Sequence, residues 1–127
     1  MAQKIVVIED EAEILKMVSE FLLESGYACY GALNAPDGLA LVKKELPSLV
    51  LLDIGLPGMN GLEVLEKIRR DYPETSVLIL SGHQETEIVK RALTAGASEY
   101  ITKPIQLETL LNHFIKEIGR ASCRERV

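Results

Sequence analysis

Five side chains in this sequence could act together chemically: the neighbouring acids Glu9 and Asp10, a lone Asp53, the hydroxyl of Ser81 and the ammonium of Lys103. They follow four separate β-rich runs. Lys4 to Ile8 runs into Glu9-Asp10-Glu11, Leu49-Val50-Leu51-Leu52 into Asp53, Val77 to Leu80 into Ser81-Gly82, and Glu99 to Thr102 into Lys103-Pro104. Each group is ordinary alone. An acid after a strand often caps the next helix or faces its dipole, and Glu11 is best read so; Asp53 could cap a turn, and Lys103 could be a solvated lysine at a strand end. Their arrival at one edge of one sheet is the signal. Three crowded carboxylates repel one another unless a pKa rises, a cation binds or a basic side chain stands beside them. Hard oxygen ligands suit Mg²⁺ or Mn²⁺, and Lys103 offers the basic partner.

The elements that must position these groups are legible from periodicity. Leu49 to Leu52 is too short for a buried helix and shows no alternation, as in a strand buried on both faces. The glycines and proline of Ile54-Gly55-Leu56-Pro57-Gly58-Met59-Asn60-Gly61 then take the chain out of the sheet in a loop. After the first strand, Ile14, Met17, Val18, Phe21 and Leu22 recur at helical spacing as far as Ser25-Gly26. Tyr27 to Ala32 reads as a weaker strand nearer a sheet edge, and Asn34-Ala35-Pro36 opens a helix through Lys44 or Glu45. A helix from about Leu62 through Ile68 stops before Pro73. Ile88, Val89, Ala92 and Leu93 mark a fourth helix ending at Ala95-Gly96, and Leu107, Leu110, Leu111, Phe114 and Ile118 a fifth ending before Gly119.

Five βα units with short connections imply a parallel sheet covered by helices on both faces. The first, third and fourth strands are the most apolar and belong at its centre. Glu9, Asp10 and Asp53 then meet at the carboxyl edge, in the crevice where the winding reverses.

Composition narrows the function. A chain of 127 residues suits one domain with one adequate core. Its net charge is −5 with acids and bases interspersed, which disfavours direct binding of nucleic acid. No stretch reads as a signal peptide or membrane span, and neither Cys29 nor Cys123 sits at metal-ligand spacing. The expectation is a soluble cytoplasmic protein with Cys29 as a small buried apolar residue.

The chain resembles the receiver domain of bacterial two-component response regulators. The resemblance spans about Lys4 to Ile118 and rests on Glu9-Asp10, on Asp53 with Leu56-Pro57-Gly58-Met59-Asn60-Gly61 behind it, on Ser81-Gly82 and on Lys103-Pro104. It implies a flavodoxin-like (βα)5 three-layer sandwich, an α/β fold whose five parallel strands lie in the order 2-1-3-4-5. The receiver would occupy residues 1–119. Residues 120–127 fall outside the resemblance as a polar tail, disordered or a linker stub.

The same resemblance implies that Asp53 accepts a phosphoryl group from a phosphohistidine on a sensor histidine kinase or phosphotransfer protein. Asp10 would bind Mg²⁺ directly, Glu9 through water, and Asp53 and the Gly55 carbonyl would complete the protein's share. Lys103 and Ser81 would hold the other phosphoryl oxygens, with Pro104, in a cis bond, directing Lys103 inward. Ser81 and Tyr100 would form the switch that alters the surface of the fourth helix, fifth strand and fifth helix toward an output domain, a downstream protein or a second copy. Gly55 offers no shield over the phosphoryl group. His83 would share in setting its lifetime by shielding the group or positioning water, unless it is simply an exposed loop histidine. Such a protein is no enzyme in the ordinary sense, although it assists its own phosphorylation and dephosphorylation.

Other classes fit less well. A flavin or nucleotide carrier needs a glycine-rich phosphate loop where Glu9-Asp10-Glu11 stands. An aspartyl phosphatase resembling the haloacid-dehalogenase superfamily needs a second acid where Gly55 stands. A receiver-like scaffold working without phosphate would usually lack one of the site residues, and all are present here.

Overall fold

The computed structural model describes residues 3–55, 60–82, 86–102, 106, 108–110, 112 and 116, with Thr86, Ile88 and Val89 in backbone only. The elements are β1 Lys4–Ile8, α1 Ala12–Glu24, β2 Ala28–Ala32, α2 Ala35–Glu45, β3 Leu49–Asp53, α3 Gly61–Asp71, β4 Ser76–Ser81, α4 Thr86–Thr94 and β5 Glu99–Thr102. Residues 108–110, 112 and 116 are also helical.

The strands pair in parallel in the order β2-β1-β3-β4-β5, so β1, β3 and β4 are central and the less apolar β2 is an edge. Successive strand residues face opposite sides of the sheet. Val6, Ile8, Val50, Leu52, Val77 and Ile79 pack with Val42 of α2, Val64, Leu65 and Ile68 of α3 and Ala92 of α4. On the other side Ile5, Val7, Leu49, Leu51, Leu78 and Leu80 pack with Val18 and Leu22 of α1 and with Leu110. The result is the expected flavodoxin-like three-layer sandwich. Every residue of β3 is buried, and each fully buried Leu or Val contributes about 1.5–3 kcal/mol. The strand that ends in Asp53 is therefore anchored from both faces.

Helix ends follow local chemistry. The Asn34 side chain accepts from the Asp37 amide at 2.9 Å, satisfying one of the open donors of α2. After α1, Gly26 at φ 96° allows the Tyr27 amide to reach the Leu22 carbonyl at 3.0 Å and its own amide to reach Leu23 at 3.1 Å. Gly96 at φ 108° does the same after α4, with Ala97 bonded to Ala92 and Gly96 to Leu93. Both are the left-handed cap that glycine adopts without strain.

Several expectations shift. β2 begins at Ala28, one residue late, because the Tyr27 amide is spent on closing α1. Glu11 does occupy the N-cap position of α1, but its side chain makes no capping hydrogen bond. Cys29 is half-buried rather than buried, since its edge strand has neighbours on one side only. The fourth strand gains Ser76, buried and paired with Leu49. Among the described residues no helix is long and apolar enough to cross a membrane. Cys123, the tail 120–127 and four of the fifth helix's apolar positions (Leu107, Leu111, Phe114 and Ile118) lie outside the described residues.

Candidate functional site

β1 delivers Glu9 and Asp10. The ladder to β2 runs one residue past the strand, with the Glu9 amide donating to the Ala32 carbonyl at 3.0 Å. Glu9 is 1% exposed, and Asp10, the next residue, is open to solvent. A carboxylate as buried as Glu9 is stable as an ion only among hydrogen bonds, a basic group or a cation.

β3 delivers Asp53, which is 4% exposed. Beyond it the Ile54 amide still donates to the Leu80 carbonyl of β4 at 3.1 Å, so the chain leaves the sheet only after Asp53 is set. The Gly55 amide then turns back and donates to Asp53 Oδ1 at 2.9 Å. This bond is the turn cap that the sequence offers as the ordinary role of Asp53, and here it coexists with the meeting of the three acids. An aspartate accepting from the amide two residues on is a common turn of Asp-x-Gly segments.

One carboxylate oxygen from each of Glu9, Asp10 and Asp53 lies within 4.8 Å of the others. Convergence of the three acids is thus observed. The donor set suits a hard divalent cation. With bonds of about 2.0–2.1 Å, Mg²⁺ spaces its own ligand oxygens about 3–4 Å apart. Carboxylates spread up to 4.8 Å fit a site where some contacts run through water.

β4 delivers Ser81, its last residue, fully buried. Asp53 is in register with Leu80, which places Ser81 one step further along the neighbouring strand at the same edge. β5 pairs Thr102 with Ser81 and Tyr100 with Ile79. Tyr100 is half-buried and packs against the cluster that contains Ile79, Ala92 and Ala97. Lys103, Pro104, His83 and the Leu56 to Met59 part of the loop lie outside the described residues.

Comparison with known proteins agrees with this arrangement. A family model described as "Response regulator receiver domain" matches residues 5–115. The chain belongs to that family. The Nitrogen assimilation regulatory protein NtrX of Azorhizobium caulinodans is 36% identical to it over 113 residues, 87% of this chain and 25% of that protein. This receiver therefore spans about a quarter of the curated relative it matches. Among solved structures, a CheY-like receiver domain protein from Methanospirillum hungatei JF-1 superposes with a TM-score of 0.94 at 31% identity, covering 98% of this chain and 99% of the other. NtrX from Brucella abortus, solved in complex with ADP, gives 0.90 at 31% identity, covering 99% of this chain and 28% of the other. The chain is thus a receiver domain of the two-component response regulators. Its acidic cluster stands where the receiver resemblance required one.

Proposed function

We propose that this receiver takes a phosphoryl group onto Asp53 from a phosphohistidine of a cytoplasmic sensor kinase or phosphotransfer protein, and relays that event to an output. The observation that carries the reading is the meeting of Asp53 with Glu9 and Asp10 at the carboxyl edge of the sheet. An aspartate nucleophile beside a cation site is what phosphoryl transfer to a carboxylate requires.

With Oδ1 accepting from Gly55, attack is assigned to Oδ2. Its bond to phosphorus forms as the phosphorus–nitrogen bond of the donor breaks, and the imidazole leaves with that electron pair. Mg²⁺, or Mn²⁺, held by Asp10, Asp53 and the Gly55 carbonyl and by Glu9 through water, would neutralise the incoming phosphoryl oxygens. Lys103 opposes a second oxygen as a point charge, and Ser81 donates to a third. Gly55 and His83 tune the lifetime of the acyl phosphate. The protein thereby assists its own phosphorylation and dephosphorylation without turning over a separate substrate.

Once formed, the phosphoryl group draws the Ser81 hydroxyl toward it and Tyr100 turns into the space vacated. The altered face, made of α4, β5 and the following helix, meets an output domain, a downstream protein or a second copy. The chemistry is tested with a radiolabelled small phosphodonor. Label should enter only with a divalent ion and be released by hydroxylamine, which cleaves acyl phosphates. Label that resists hydroxylamine would place the phosphate on another kind of side chain and overturn the reading.

A further inference from the structure

Gly61 opens α3 and is buried, seven residues and a loop away from Ile54. A methyl group on its Cα would lie 2.5 Å from the Ile54 carbonyl oxygen, 2.7 Å from the Ile54 Cα and 2.7 Å from its Cγ1. The first turn of α3 therefore rests directly on the backbone of the residue that follows Asp53. That residue is tied on its other side, its amide bonded to Leu80 of β4. Ile54 is held between these two contacts, and its carbonyl, the one that faces Gly61, belongs to the same peptide as the Gly55 amide that reaches Asp53 Oδ1.

We propose that Gly61 is a positioning residue of the phosphoacceptor site: its missing Cβ lets α3 fix the Ile54–Gly55 peptide that orients the Asp53 carboxylate. The proposal rests on the phosphoacceptor reading above. Its physical content is a choice between two neighbours. Where a new methyl group meets the end of a flexible side chain, a rotamer change relieves it, as at Gly31, where the three nearest atoms are Leu15 Cδ1, Cδ2 and Cγ at 2.8, 3.2 and 3.2 Å. At Gly61 the obstacle is backbone, which must retreat by about 0.9 Å or more to reach ordinary contact. Helix propensity alone would favour alanine over glycine at this position, so a loss on substitution reports the contact and not the helix. The Asn60 side chain, accepting from the Leu62 amide at 3.0 Å, fastens the same turn in place.

The test compares the full chain with Gly61→Ala, Gly31→Ala and Gly61→Ala combined with Ile54→Ala. Three quantities are read: the Gly55 amide chemical shift without metal, the Mg²⁺ dissociation constant by calorimetry, and the initial rate of phosphorylation by acetyl phosphate at saturating Mg²⁺. Gly61→Ala should move the Gly55 amide and weaken Mg²⁺ about tenfold, and slow phosphorylation about tenfold to a hundredfold, the scale of a small misplacement of reacting groups. Gly31→Ala should leave all three unchanged. Ile54→Ala should not restore the double variant, because the carbonyl and Cα remain. Rates and affinity within twofold of wild type in Gly61→Ala overturn the proposal, as does full recovery in the double variant or an equal loss in Gly31→Ala. If Gly61→Ala does not fold, Asn60→Ala loosens the same turn and should lower affinity and rate two- to fivefold; no change there overturns it too. A wild-type chain that neither binds Mg²⁺ nor takes phosphate would instead overturn the phosphoacceptor reading, so the two failures are distinct.

Discussion

Leu46 holds φ 49° and ψ 60° at the end of α2, a left-handed conformation that glycine adopts freely and a leucine does not. Its side chain is 66% exposed and recovers little by burial. A non-glycine residue there costs about 1–2 kcal/mol, partly offset because glycine gives the unfolded chain more freedom. Leu46→Gly should therefore raise stability by about 0.5–1 kcal/mol in urea unfolding; a lower midpoint would show that the leucine makes contacts that outweigh the strain. Cys29 gives a pH dependence at the same scale. Burial pushes its thiol up, against a weaker opposing effect of its hydrogen bond with Ser19. A folded value above the unfolded one means that the native state holds its proton longer. The contribution is whole below the unfolded value of about 8.5 and is lost as pH rises through the folded value. At pH 8 iodoacetamide should modify Cys29 more slowly in the native protein than in urea, measured by peptide mapping. Equal rates would contradict it.

Between elements, Arg69 near the end of α3 ties three segments. Its guanidinium donates to the Pro73 carbonyl at 3.1 Å and the Thr75 carbonyl at 2.6 Å, and its stem lies against Gly96 after α4. Thr75 in turn donates to the buried Pro47 carbonyl at 2.9 Å. Hydrogen bonds from a charged donor are worth about 1.5–3 kcal/mol, so Arg69→Met, which keeps the stem, should cost about 2 kcal/mol by denaturant unfolding. A cost below 0.5 kcal/mol, the scale of an ordinary surface substitution, would mean that water replaces the clamp. At this scale the sequence was most informative where one cause acts alone. The unbroken apolar run Leu49 to Leu52, too short for a buried helix, reads as a buried strand, and Asn34-Ala35-Pro36 reads as the opening of a helix. It was less informative where an element ends through a tertiary bond. The start of β2 depends on the Tyr27 amide closing α1, and the contact of Gly61 with Ile54 depends on a loop returning to the sheet. Neither leaves a periodic trace.

For the whole molecule, the parallel sheet explains why the site could be anticipated. Strands that run the same way end at the same edge, so Glu9, Asp10, Asp53 and Ser81 needed only their places in the sequence to be brought there. The Gly55 amide bond to Asp53 belongs to the turn and not to the sheet, and the sequence offers it only as an alternative role for Asp53 as a turn cap. Three carboxylates gathered by the fold would also make the proposed cation binding a property of the native state, and a ligand of the native state stabilises it. Mg²⁺ at millimolar concentration should raise the melting midpoint by several degrees, since about 1 kcal/mol moves it about 4–8 °C in a small domain. Asp10→Asn should abolish most of that rise; an unchanged wild-type midpoint would mean that the cluster is not a metal site. The central claim is that Asp53 takes a phosphoryl group, and intact mass tests it most directly. After incubation with acetyl phosphate and Mg²⁺, the wild-type chain should gain the mass of one phosphoryl group and Asp53→Asn none. An equal gain in Asp53→Asn, or none in the wild type, would contradict the account.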